Sequence, residues 1–153
     1  MQEKLKKIIS NAETVLSELE KHINAVKATE LSRFHKMADG WVLDKATLKE
    51  WGPSSTKEMN WEEAKKYAAD QGGRLPTVKE LLTIVDYDRH DPALDNKFFP
   101  DTKADHWYWT SSPTAWRGDC AWCVYFSSGS VYVDSKVVNS YVRPVRASQC
   151  LII

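Results

Sequence analysis

Residues 122–132 read Trp122-Cys123-Val124-Tyr125-Phe126-Ser127-Ser128-Gly129-Ser130-Val131-Tyr132, and the chain runs on through Val133–Ser140 to Tyr141-Val142-Arg143-Pro144-Val145-Arg146. Trp122, Val124, Phe126 and Val131 alternate with Cys123, Tyr125, Ser127, Ser130 and Tyr132. Period two is the signature of a strand with one set of side chains under the sheet and the other on its open face. The inner set is chosen for packing and the outer set follows no packing logic. A surface of that kind is expected to bind rather than to catalyse.

Upstream of this stretch, Asn60 caps a helix and Glu63, three residues on, completes a capping box. That helix runs through Ala64, Tyr67 and Ala68 and stops before Gly72-Gly73. Thr77 and Glu80 repeat the device and open a second helix carrying Leu81, Leu82, Ile84 and Val85. Trp41–Asp44 and the segment from Leu48 to Trp51 read as short strands. Residues 86–105 read as irregular chain, and everything after Trp107 as short strands between Ser, Gly and Asp turns. The pattern predicts an α+β fold with two helices packed on one side of short antiparallel strands.

Residues 2–33 are expected to form one amphipathic helix within a segment spanning residues 1–34, ahead of a domain at 35–153. Leu5, Ile9, Ala12, Leu16, Leu19, Ile23 and Val26 follow at alternating steps of four and three, a heptad seam, which Ile8 and Val15 widen. So wide a stripe suits a helix bundle or docking on the following domain. Self-association, or anchoring to a larger particle, is the other use. His22 lies beside the seam as a polar edge.

Twenty-one basic and 21 acidic side chains cancel, so no basic field points to nucleic acid or anionic membrane. No apolar run approaches the length that spans a bilayer. The start, Met1–Lys7, lacks the apolar core of a secretory signal, which leaves a cytoplasmic or a virion- or surface-associated protein. Three cysteines cannot form a complete disulfide framework. Cys120-Ala121-Trp122-Cys123 has the spacing of a redox pair or half a zinc site, but it sits on a strand without a second such pair, so solvent-facing thiols are expected. Cys150 belongs to an apolar tail with Leu151, Ile152 and Ile153.

The acidic loop Asp86–Asp91 suggests calcium. It lacks the glycine and bidentate glutamate of an EF-hand, Asp91 and Lys97 standing in their places, so a solvated loop with Asx turns is expected. None of His22, His35, His90 or His106 sits in a nucleophile motif, and neither cofactor nor metal is expected. Of seven tryptophans, Trp41, Trp61, Trp109 and Trp122 take core positions, and Trp107 and Trp116 are the exposed candidates, Trp116 the better contact residue.

From Asp39 to Arg146 the chain resembles the C-terminal domain family of the Legionella collagen-like adhesin. The landmarks are Asp39-Gly40-Trp41-Val42-Leu43-Asp44-Lys45, Trp61-Glu62-Glu63-Ala64, and Gly73-Arg74-Leu75-Pro76-Thr77-Val78-Lys79-Glu80-Leu81. They continue through Tyr108-Trp109-Thr110-Ser111-Ser112, Ala121-Trp122, Phe126, Gly129, Lys136 and Tyr141-Val142-Arg143. The resemblance implies a C-type-lectin-like fold. Members often carry a cysteine in the first helix and another between the last two arginines. Ala68 and Pro144 stand there instead, so both halves of the disulfide that the resemblance implies are missing together. The Glu-Pro-Asn, Gln-Pro-Asp and Trp-Asn-Asp motifs of calcium-dependent lectins are missing, and calcium-dependent sugar binding does not carry over.

The ending Tyr141–Ala147 is similar to a narrower group, the variable proteins of diversity-generating retroelements. Their C-terminal codons are randomised from AAC to NNC, which excludes Lys, Glu, Gln, Trp and Met. That resemblance implies a variable segment at about 107–147. Its variable positions are Cys120, Cys123, Tyr125, Ser127, Ser128, Ser130, Tyr132, Val133, Asp134, Ser135, Val137, Val138, Asn139 and Ser140. None is of an excluded type, and Lys136 and Trp122 fall between them as invariant scaffold. Trp116, Arg117 and Asp119 on the preceding turn complete the candidate ligand-binding set. The expected function is non-enzymatic binding of a protein or glycan, anchored by Tyr125 and Tyr132, with Ser and Asp adding hydrogen bonds and Val133, Val137 and Val138 an apolar patch. The alternatives are an undiversified adhesin or assembly domain of the same fold, and an enzyme using Cys120 and Cys123 as a thiol pair.

Overall fold

The computed structural model describes residues 1–149, so Cys150, Leu151, Ile152 and Ile153 lie outside the described residues. The chain divides into two units, Met1–Arg33 and the chain from Phe34 onward. The first is one helix, α1 (Gln2–Leu31), with no buried residue. Its stripe is exposed: Leu5, Ile8, Ile9, Val15, Leu16, Leu19, Ile23 and Val26 each keep 51–63% of their surface.

The second unit is α+β. Strands β1 (Phe34–Lys36), β2 (Val42–Asp44) and β3 (Lys49–Trp51) precede helices α2 (Trp61–Asp70) and α3 (Val78–Leu82). Strands β4 (Trp107–Pro113), β5 (Cys120–Tyr125), β6 (Ser130–Ser135) and β7 (Val145–Ala147) complete it. They form two antiparallel sheets, β1-β2-β3-β7 and β4-β5-β6. Both capping boxes form: Asn60 accepts from the Glu63 amide and Thr77 from the Glu80 amide, and each glutamate reaches back. Helix α3 closes at Leu82, earlier than the apolar pattern suggests, although Ile84 is buried beyond its end.

One correction concerns the helices, which do not share a side of the strands. Leu81 of α3 packs with Tyr108, Val124 and Phe126, and with Phe34, Trp51 and Val145 of the first sheet. Ala64 and Ala68 of α2 pack with Trp109, Ala121 and Cys123. Tyr108 and Trp109 are chain neighbours, as are Cys123 and Val124, so these clusters cover opposite faces of β4-β5-β6. The two alanines let α2 approach closely enough to seal what the alternation marks as an open face.

The two arginines of the closing stretch are structural. Arg143 is buried and donates to the Gly52 carbonyl (2.9 Å), Asp101 (2.7 Å) and Thr102 (2.9 Å). Arg146 lies over the Trp41 ring and donates to Glu50 and Asp39, both at 2.6 Å. Burial works against ionised Asp101, but the charge and hydrogen bond of Arg143 and the Ser54 amide outweigh it and hold its carboxyl below the usual range.

Candidate functional site

The β4-β5-β6 sheet and the turns at its ends carry every candidate residue. Registers of Trp107 on Tyr125 and of Cys123 on Tyr132 put Trp107, Tyr125, Tyr132, Ser130 and Asp134 on the face that bears Trp109 and Cys123. Trp107 lies 4.9 Å from the Tyr125 ring and 5.5 Å from Tyr132, centroid to centroid. This tilted cluster begins where the cover by α2 ends, and its tip, Tyr132, is 57% exposed. Trp107 is a member that the sequence does not single out, Trp116 being the better contact candidate there. Its pairing with Tyr125 is a register fact, which one strand's alternation does not reveal.

Trp116 is 66% exposed and meets Trp122 edge to face at 5.7 Å. Arg117 and Asp119 form a forked ion pair on the same turn, and each strengthens the other's charged form: their hydrogen bond lowers the Asp119 pKa and raises that of Arg117. Trp122 is half-buried rather than a core anchor, and Val131, read as inward, is exposed. Both belong to the face opposite Tyr132. The candidates therefore wrap around β6, which has a strand neighbour on one side only among the described residues.

Three candidates are not on the surface. Cys120, Cys123 and Ser140 are buried. Cys123 packs in the α2 cluster, and burial, then the charge of Asp134, pushes its thiol up to about 12. Three residues apart on one strand, the two sulfurs face opposite sides of the sheet, an arrangement that does not close a disulfide. Ser140 is buried because its backbone exchanges two 3.0 Å hydrogen bonds with Met59. Val138 is half-buried on the α2 cluster, while Val137 is 83% exposed. Of the others, Ser128, Ser130, Arg117, Asp119 and Asn139 are exposed, and Tyr125, Ser127, Val133, Asp134 and Ser135 half-buried.

The backbone beneath these side chains is held by main-chain bonds, some within the segment and some from outside it. Trp61 N–H donates to Lys136, Tyr141 N–H to Trp107, and Trp109 N–H to Tyr141. Lys136 ties the two ends together: its ammonium donates to the Gly118 carbonyl (2.7 Å) and lies 4.2 Å from the Trp61 ring. At the hairpin tip, the Asp91 N–H donates to Ser127, Ser127 Oγ donates to the Asp91 carboxylate, and Tyr87 donates to Gly129. Gly129 has φ +76°, and a Cβ there would lie 2.5 Å from Val85 Cγ1 and 2.8 Å from Tyr87 Cε1, so any other residue is strained and displaces those side chains. In the acidic loop, Asp86 accepts from the Asp88 amide and from Arg89, an Asx turn. No group of side chains among the described residues is placed to hold a metal ion, and no helix there is long and apolar enough to cross a membrane.

A capped two-helix, antiparallel domain presenting a pinned hairpin with an aromatic cluster on one face defines a class of compact α+β modules. Within that class, the chain belongs to the Lcl C-terminal domain family, whose model matches residues 40–146. The match starts beyond α1 and β1 and covers the whole β4-β5-β6 sheet and every candidate site residue. No curated protein and no solved structure matches the chain.

Proposed function

We propose that this chain is a non-enzymatic, adhesin-like ligand-binding module of C-type-lectin-like fold, and that it binds a protein or glycan around β6. The aromatic cluster of Trp107, Tyr125 and Tyr132 is its anchor. Ser128, Ser130, Asp134 and Asn139 supply adaptable hydrogen bonds, and Trp116 with the Arg117–Asp119 pair borders the opposite face. The observation that carries the reading is the division of labour just described. Main-chain bonds and a few side chains (Lys136, Ser127, Arg143) hold the segment, while Ser128, Ser130, Tyr132 and Asn139 at its surface have no comparable structural duty. Rigid aromatic anchors with small polar neighbours are the composition of a recognition surface.

We place retroelement diversification on the candidates that are not buried: Ser128, Ser130, Tyr132, Val137 and Asn139, which are exposed, and Tyr125, Ser127, Val133, Asp134 and Ser135, which are half-buried. The undiversified adhesin is the second reading, favoured at Cys120, Cys123 and Ser140, whose burial tolerates little randomisation. Two measurements test these proposals. On arrays of glycans and of intact cell surfaces, Tyr132→Ala and Trp107→Ala are each expected to lower binding by at least about tenfold, as central anchors do; unchanged binding overturns the site. Sequencing the neighbouring DNA is expected to find a reverse transcriptase and a near-copy of the segment with AAC at the exposed codons. Its absence, with sibling sequences identical at those codons, overturns diversification alone.

A further inference from the structure

We infer that α1 is a self-association helix, packing in parallel against α1 of at least two further copies of this chain. The helix spans 30 residues, about 45 Å at the usual rise, and presents eight large apolar side chains in one unbroken stripe, each half or more exposed. In heptad terms Ile9, Leu16 and Ile23 occupy position a, and Leu5, Ala12, Leu19 and Val26 position d. Ile8 and Val15 occupy position g, which extends the stripe past the narrow a/d seam that two strands cover. More than one neighbour is needed to cover it.

The charges flanking the seam choose both the occupant and its direction. Position e holds Lys6, Glu13, Glu20 and Lys27. In a parallel arrangement each e residue faces the preceding g residue of its neighbour: Glu13 meets Ile8, Glu20 meets Val15, and Lys27 meets His22. No acidic pair and no lysine pair arises. In an antiparallel arrangement with full overlap, e faces e: Lys6 meets Lys27 and Glu13 meets Glu20, so every pair repels. The helix is thus compatible with its own copies in one direction only. Because the second unit begins at Phe34, directly after α1, parallel copies display their domains from one end, where several weak contacts act together.

The test uses the full chain. Sedimentation equilibrium is expected to give at least three times the 17.5 kDa chain mass. Leu16→Asp in the seam is expected to bring it to a single chain, whereas Ser17→Asp, one position round the helix, leaves it unchanged. All seven tryptophans lie in the second unit, so an unaltered fluorescence spectrum shows that Leu16→Asp leaves that unit folded. For direction, Leu5→Cys is expected to cross-link to itself on mild oxidation, beyond any cross-linking of the parent chain. A parent that sediments as one chain or as two, or a Leu5→Cys chain that cross-links only when mixed with a Glu30→Cys chain, overturns the inference.

Discussion

Aspartate at position 123 tells a sealed face from a replaceable one. Cys123 is fully buried among Ala64, Ala68, Trp109, Ala121 and Val142. Its thiol stands at about 12 against an ordinary 9.0, pushed there by burial first and by Asp134 second. At about 1.4 kcal/mol per tenfold change in acidity, a negative charge at that position costs ~4 kcal/mol. Cys123→Asp therefore ionises against that penalty, or keeps its proton and buries a carboxyl at a cost of about 1–3 kcal/mol. Tyr132→Ser gives up one exposed ring contact with Trp107, worth about 1 kcal/mol. Urea unfolding followed by tryptophan fluorescence measures both. The expected result is a large drop in midpoint for Cys123→Asp and a small one for Tyr132→Ser. The Cys123→Asp deficit should also grow as pH rises above ~4, because an aspartate with a raised folded-state pKa destabilises only once its unfolded form ionises. Equal losses in the two variants, or an unimpaired Cys123→Asp chain, would refute the reasoning.

Gly129→Ala should cost ~2–4 kcal/mol, combining left-handed strain with the clash on Val85 and Tyr87, and a thermal melt reads it directly. Glu80 is held down at about 2: burial opposes its charge, but Arg74 and the Thr77 cap outweigh burial. A depressed carboxylate stabilises above its unfolded pKa of ~4.3 and loses that contribution as pH falls toward 2. The urea midpoint should accordingly fall between pH 5 and pH 2.5, and Arg74→Met should flatten the slope. Neither Cys120 nor Cys123 should react with an aromatic disulfide reagent until urea unfolds the chain, which mass mapping of the labelled thiols would show.

Signals confined to a few neighbouring residues are legible in the sequence alone. Asn60 with Glu63 and Thr77 with Glu80 each announce a helix start because cap and partner sit three residues apart on one turn. The heptad spacing in α1 is equally local, and it gives the helix to within two residues of its observed end. What failed depends on contacts between distant segments. Alternation along β5 correctly separates Cys123 from Val124, but only α2, some sixty residues upstream, decides that the Cys123 face is covered. Strand β1 has no signal in the sequence because its three residues, Phe34–Lys36, carry no period of their own and pair with β2. Trp107 joined the site through its register with Tyr125, and Val131 left the core because β6 is an edge strand.

The same distinction explains how one segment can be rigid and replaceable at once. A hydrogen bond from Met59 to Ser140, or from Tyr141 to Trp107, uses main-chain atoms and survives most changes of side chain. The side chains that do hold the segment are few and serve different ends. Lys136 joins Gly118 to Trp61, Gly129 admits Val85 and Tyr87, and Arg143 fastens the strand end to Asp101. Because these anchors lie between the exposed positions rather than among them, Tyr132 or Asn139 can change without releasing the backbone. Affinity at such a surface is set by which rings and hydroxyls occupy a fixed frame, not by refolding the frame around each partner.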